Sequence, residues 1–301
     1  MIAEVDAYLA LRRALGYSLS HIGKILQQFA RFADRRGERF IRVRSALAFA
    51  RRSRSPERRE LVLRKVVLLA QHLHAEDPRH EVPAIRVFAG DPYRRAVPYI
   101  FTPRQVSSLV DEAFRLKATY PLRPFTFGTL FALLAATGLR ISEALALQFQ
   151  DVTPDGLVIR NTKFYKSRLV PLHDSVLAGL GRYLRLRRRL PGDHVFAASS
   201  GEPLTYGCVK LVFAKLLKAT GIARRADGPR PRLHCLRHTF AVRVLERCPS
   251  GREQITKHQL ALTTYLGHAS LESTFWYHEA TPQLLRRIAR ASEAYARGNA
   301  T

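Results

Sequence analysis

The sequence predicts a mainly α-helical protein in two parts, with one small β-hairpin in the second, and three observations predict it. Apolar residues recur at helical spacing through the first 88 residues. Prolines and glycine break that pattern between Val82 and Thr102. The period changes to that of strands once, between Leu157 and Leu172. At 301 residues and 47% hydrophobic content the chain can bury a core in each part.

In the first part Val5, Leu9 and Ala10, then Ile22, Ile25, Leu26 and Phe29, mark successive small helices. Ser55-Pro56 starts another, because a capping hydroxyl stands before proline at the first helical position. Leu61, Val62, Val66, Leu69 and Leu73 continue it to a stop near Asp77-Pro78. Residues 89–101, with Gly90, Pro92, Arg94-Arg95 and Pro98, have the composition of an exposed basic linker, which gives domains of 1–88 and 102–301. Thr102-Pro103-Arg104-Gln105 is a capping box that restarts regular structure. Helical sequence runs on through Leu147. Leu157–Arg160 and Arg168–Leu172 are β-prone runs around a polar turn, the expected hairpin. Helices are then expected over Ser175–Arg189, Tyr206–Ala219, Leu233–Glu246, Thr256–Tyr265 and Pro282–Tyr295.

Fifty Lys and Arg against 24 Asp and Glu give a formal charge of +26, and residues 1–100 carry +10 of it, so both parts are basic. A polyanion is the implied partner. Cys208, Cys235 and Cys248 have no CxxC spacing, which argues against a disulfide framework or a cysteine zinc site and fits a reducing cytosol. The N-terminus lacks a signal-peptide pattern and the longest apolar stretches are too short to span a bilayer, so neither secretion nor membrane insertion is expected.

Four separated segments carry chemistry: Ala136-Thr137-Gly138-Leu139-Arg140-Ile141-Ser142-Glu143; Thr162-Lys163 in the hairpin turn; His234-Cys235-Leu236-Arg237-His238; and Leu266-Gly267-His268 with Tyr277 nine residues on. In this order they resemble the tyrosine recombinase, or phage integrase, family over roughly residues 100–290. The N-terminal part resembles that family's helical, SAM-like core-binding domain in length, composition and position.

Cleaving a phosphodiester without metal requires a nucleophile, an acid for the leaving oxygen and fixed positive charge for the remaining oxygens. Arg140 and Arg237 can each present a planar fork of N–H donors to a phosphate. His234 and Arg237 stand three apart on an expected helix and project from nearly one face. The resemblance implies that Tyr277 attacks to leave a 3′-phosphotyrosyl link, that Lys163 is the general acid, and that His268 binds a scissile-phosphate oxygen. Lys166 is the alternative acid. Glu143, one turn after Arg140, could orient its guanidinium. His238 is expected to be structural or to support the groups that touch the phosphate, and Tyr265 and Tyr295 to be packing residues.

No Walker motif, carboxylate cluster or zinc spacing is present in the sequence, so neither cofactor nor metal is expected. The expected partner is double-stranded DNA, with Lys166 and Arg168 as candidate contacts, Tyr206 and Lys210 as contacts that the resemblance implies, and the Arg-rich stretch Ser53–Arg59 as a backbone contact. By resemblance, the segment from Thr281-Pro282, with Leu284, Leu285, Ile288 and Ala289, docks on a neighbouring protomer of a homo- or hetero-tetramer; the alternative is that it packs on its own domain. The expected location is the cytosol, at the nucleoid of a bacterium. A type IB topoisomerase-like enzyme, an idle DNA-binding protein of the same fold and a basic RNA-binding protein are the rival readings; the ordered catalytic set disfavours the second, and no aromatic RNA-binding signature supports the third.

Overall fold

The computed structural model describes residues 1–17, 19–88, 97–160, 167–223, 228–248 and 252–267, together with 277, 286, 289 and 293; of Ser20 and Arg252 it describes the backbone alone. The chain divides into two compact units, Met1–Arg95 and Ala96–Thr301.

The first unit is built from α1 (Ile2–Ala14), α2 (Ser20–Asp34), α3 (Val43–Arg51) and α4 (Pro56–Glu76). Ser55 Oγ accepts from the Arg58 N–H at 3.3 Å, and Pro56 at the first position forfeits no helical hydrogen bond, so α4 starts where its sequence directs. Its inner face buries Val62, Leu63, Val66, Leu69, Ala70 and Leu73 against Val5, Leu9, Leu26, Phe29 and Phe49. Leu61, expected in that set, is exposed and Leu63 takes the core position.

The strand-like segment after α4 turns back on α3. Glu81 N–H donates to Ile41 O at 2.9 Å, and Glu81 Oε2 accepts from the Val43 N–H at 2.7 Å, which satisfies a donor at the start of α3. Ile41 N–H donates to Nδ1 of the buried His80 at 3.2 Å, so that nitrogen must be unprotonated. Burial pushes His80 below its ordinary pKa of 6.5, with Glu4 pulling the other way. A depressed imidazole contributes stability that is present above 6.5 and lost as pH falls from there toward the folded value, because the unfolded chain takes up the proton first. The urea midpoint is therefore expected to fall between about pH 7.5 and 5.5, and His80→Asn, which keeps an acceptor near Nδ1 without titrating, should flatten that decline.

The second unit is mainly helical. Its α5 (Pro103–Phe114) opens on the expected capping box, with Gln105 N–H donating to Thr102 Oγ1 at 3.2 Å and Thr102 N–H to Gln105 Oε1 at 3.0 Å. Next, α6 (Arg123–Thr137) is the central helix, burying Phe127, Leu130, Phe131 and Leu134 and packing against α5, α8 (Asp174–Arg187) and α10 (His234–Glu246). A short α7 (Ile141–Ala146) leads into the sheet.

Three antiparallel strands form where two were expected: β1 (Val152–Thr153), β2 (Gly156–Ile159) and β3 (Arg168–Val170), in the order β1-β2-β3. Leu157 pairs with Val152 on one side and Val170 on the other, and Ile159 pairs with Arg168. After α8, α9 (Tyr206–Ala219) begins under a Thr205 cap, and α11 (Arg252–Leu266) packs on α10. The expected helix Pro282–Tyr295 lies outside the described residues except for Arg286, Ala289 and Glu293, which are helical and exposed. Among the described residues no helix is long and apolar enough to cross a membrane.

Candidate active site

Two glycines in left-handed conformation fix the ends of α6 and α11, and the arginines of the sequence motifs converge on the carbonyls at those ends. Gly138 has φ +62°, and a Cβ there would lie 2.5 Å from the Phe240 ring. Gly267 has φ +65°, and a Cβ would meet the Arg168 guanidinium at 2.7 Å. Only glycine combines that backbone geometry with so close an approach.

Helix C-termini leave carbonyls without intrahelical donors and carry partial negative charge. Arg237, on α10, donates through Nη1 to Gly138 O at 2.9 Å and through Nη2 to Leu266 O at 2.8 Å. Arg140, which precedes α7, donates through Nη2 to Gly267 O at 3.0 Å. The turn Leu266-Gly267 thus holds two arginines that stand 97 positions apart in sequence. Arg237 is only 2% exposed. Burial pushes its pKa down to about 10, with the Arg140 charge adding to the fall and Tyr277 and Glu143 opposing it; the guanidinium stays charged at neutral pH.

Glu143 supplies the counter-charge. It accepts from the Arg140 backbone N–H at 2.9 Å and from Arg140 Nη1 at 2.8 Å, as its place one turn after Arg140 suggests. It also accepts a two-pronged pair from Arg168, Nη1 at 3.1 Å and Nη2 at 2.9 Å. Burial raises its pKa, yet the Arg168 hydrogen bonds and charge, with the Arg140 N–H, outweigh it and hold the carboxyl below the ordinary carboxylate value.

Arg168 corrects an expectation. Placed among the DNA contacts by sequence, it turns inward: its side chain is 11% exposed, its Nε donates to Tyr265 O at 2.8 Å, and both terminal nitrogens are on Glu143. It ties β3 to α7 and to the end of α11.

The histidines of α10 separate in depth. His234, its first residue, is exposed; His238, one turn on, is half-buried, and the rings meet edge-to-face at 4.5 Å. His238 Nδ1 lies 3.0 Å from the Tyr277 hydroxyl. Tyr277 is 2% exposed, packed with Ala241, Val242, Leu245, Leu262 and Leu266 between α10 and α11. Tyr265 stacks on Phe240 with centroids 5.6 Å apart, and burial pushes its pKa up to about 12, as suits a packing residue. Lys163, Lys166, His268 and Tyr295 lie outside the described residues. Tyr206 and Lys210 are exposed on α9, as are Lys215 and Lys218. Among the described residues no group of three or more His, Cys, Asp or Glu side chains is placed to hold a metal ion.

The structure thus brings the guanidiniums of Arg140 and Arg237 to one turn and sets His238 on the hydroxyl of Tyr277. Residues 100–283 match the phage integrase family. A Sinorhizobium fredii protein that carries the name integrase/recombinase y4rB is 35% identical over 301 residues, covering 96% of each chain. Tyrosine recombinase XerC of Nitrobacter winogradskyi is 34% identical over 172 residues, 56% of this chain and 50% of that one. Two solved structures share the fold: the XerH site-specific recombinase in a post-cleavage complex (TM-score 0.66, 19% identity, 91% of this chain and 78% of that one) and the Tn1549 transposon integrase (TM-score 0.66, 18% identity, 95% and 99%). The chain belongs to the phage integrase family, that of the tyrosine recombinases.

Proposed function

We propose that this chain cleaves and rejoins duplex DNA through a 3′-phosphotyrosyl link at Tyr277, without metal or cofactor. The observation that carries the reading is the convergence of Arg140 and Arg237 on the single turn Leu266-Gly267, which precedes Tyr277 in the chain and whose Leu266 packs against it. Arginines so held present their remaining N–H donors in fixed directions, the preorganised charge that a pentacoordinate phosphorus requires. His234 and His268 serve the phosphate oxygens. Lys163, with Lys166 as its rival, protonates the leaving 5′ oxygen.

Both units serve as DNA-binding parts, the first as a core-binding domain. Its supporting feature is a cavity of about 500 Å³ lined by Arg31, Arg35, Arg52 and Arg58 with Ser53 and Gln28. None of these four arginines pairs with a carboxylate among the described residues, and they stand beside the positive end of α4, so the cavity suits a backbone phosphate. In the second unit the exposed face of α9, with Tyr206 and Lys210, serves the bases or the backbone. The segment 282–295 joins protomers into a tetramer on DNA in the bacterial cytosol.

The test is trapping. The protein is incubated with a nicked, suicide-type duplex bearing the ends of the genetic element that encodes it. A denaturant-resistant adduct that vanishes in Tyr277→Phe is expected. An adduct that persists in that variant removes Tyr277 from the role, and none with wild type on DNA that it binds removes the cleavage activity.

A further inference from the structure

A phenol with an ordinary pKa of about 10 is only about 0.1% ionised at neutral pH, so attack on phosphorus needs a group that takes its proton. Arginine cannot: it remains charged throughout and can only stabilise the phenolate. Among the described residues His238 is within hydrogen-bond reach, its Nδ1 3.0 Å from the Tyr277 hydroxyl and its ring centroid 5.5 Å from the tyrosine ring.

We propose that His238 is a catalytic residue, the general base that receives the Tyr277 proton, while His234 serves the phosphate. The assignment rests on Tyr277 being the nucleophile. The neutral imidazole with its proton on Nε2 presents the Nδ1 lone pair to the phenol O–H. As Tyr277 Oη bonds to phosphorus, its proton passes to Nδ1; the bond from phosphorus to the 5′ oxygen breaks, and that oxygen takes a proton from the general acid. Rejoining runs the same steps backward, with His238 returning the proton to the phenol.

The division of labour follows from α10. Residues 237 and 238 are adjacent, and the helix turns about 100° between them, so Arg237 reaches the carbonyls of Gly138 and Leu266 while His238 reaches Tyr277. His234 lies one turn back, exposed, with its ring edge-on to His238. Among the described residues, the titratable and charged groups about His238 include His234, Tyr277 and Arg237, with Arg140, Glu143 and Arg168 acting on Arg237, and Tyr265 from α11 packed on the same cluster.

The experiment is the single-turnover rate of adduct formation on the nicked duplex at saturating protein, from about pH 5.5 to 9, a range that spans the imidazole pKa. It compares wild type with His238→Asn, whose amide oxygen can still accept near the Nδ1 position but cannot take a proton. Wild type should show a rate that rises through the imidazole range. His238→Asn should bind DNA as wild type does, be slower by about 10²–10⁴-fold at neutral pH, lose the imidazole limb and speed up toward the phenol pKa. A duplex with sulfur in place of the 5′ bridging oxygen, which leaves without protonation, should not restore the variant.

A uniform loss that keeps the wild-type limb would make His238 a packing residue, and restoration by sulfur would make it serve the leaving group. A variant faster than wild type would make it a restraint on the buried tyrosine. Each overturns the assignment while leaving Tyr277 as nucleophile. Absence of any wild-type adduct overturns the cleavage reading and this assignment with it.

Discussion

Glu143→Ala is expected to lower the unfolding free energy by about 3–5 kcal/mol, because it leaves Arg168 and Arg140 charged with no counter-ion in a site that excludes most solvent. The Glu143 side chain is 8% exposed, so water cannot replace it. Arg168 would lose both Glu143 contacts of its terminal nitrogens and keep its Nε bond to Tyr265 O. Glu143→Gln should cost less, since its amide oxygen still accepts one of these bonds. The sign of the pH dependence follows from the depressed pKa: the contribution of Glu143 is full above the ordinary carboxylate pKa and is lost as pH falls through it toward the folded value. The urea unfolding curve at neutral pH and near pH 4 measures both effects. DNA affinity should hold or rise in Glu143→Ala, since a negative charge leaves a positive surface, while adduct formation falls because Arg140 is no longer aimed. A stable Glu143→Ala protein would mean that the arginines find other partners.

This pair of outcomes follows from a contact that the sequence hid in part. Arg140 and Glu143 are one turn apart, so their interaction follows from helical spacing. Arg168 meets Glu143 across 25 positions, from a strand, and nothing in a basic residue after a polar turn distinguishes an inward side chain from a DNA contact. What decides it is the missing Cβ of Gly267, which makes room for the guanidinium, and that room exists only after α11 has packed. The mainly helical fold was legible because caps and prolines are local: Ser55-Pro56 and Thr102-Pro103 start α4 and α5 as their chemistry requires. The two-residue β1 was not, since a strand so short has no period of its own and exists by pairing with Leu157. The contact between His238 and Tyr277 was hidden for the same reason as that of Arg168, because the two lie 39 positions apart.

Arg237→Lys tests the remaining arginine by keeping its charge and removing its shape. The guanidinium satisfies two backbone carbonyls at once, Gly138 O and Leu266 O, and keeps further N–H donors for a phosphate. An ammonium in the same space can reach one carbonyl or the substrate, but does not span both as a plane. Loss of one aimed donor to a developing negative charge costs about 10²–10³-fold in rate, so adduct formation should fall by at least that factor at saturating DNA. The same burial and the same Arg140 charge that push Arg237 down to about 10 act on the lysine, whose ordinary pKa is already lower, near 10.4. Its charge should therefore be lost within the assay range, and the variant's rate should fall with rising pH where wild type holds level. Arg237→Met fills much of the volume without charge or donors and is expected to leave Gly138 O and Leu266 O without their donors, to bind DNA and to form no adduct. If Arg237→Lys cleaves at the wild-type rate across pH, the planar fork is not what the phosphate needs, and Arg140 carries the clamp alone.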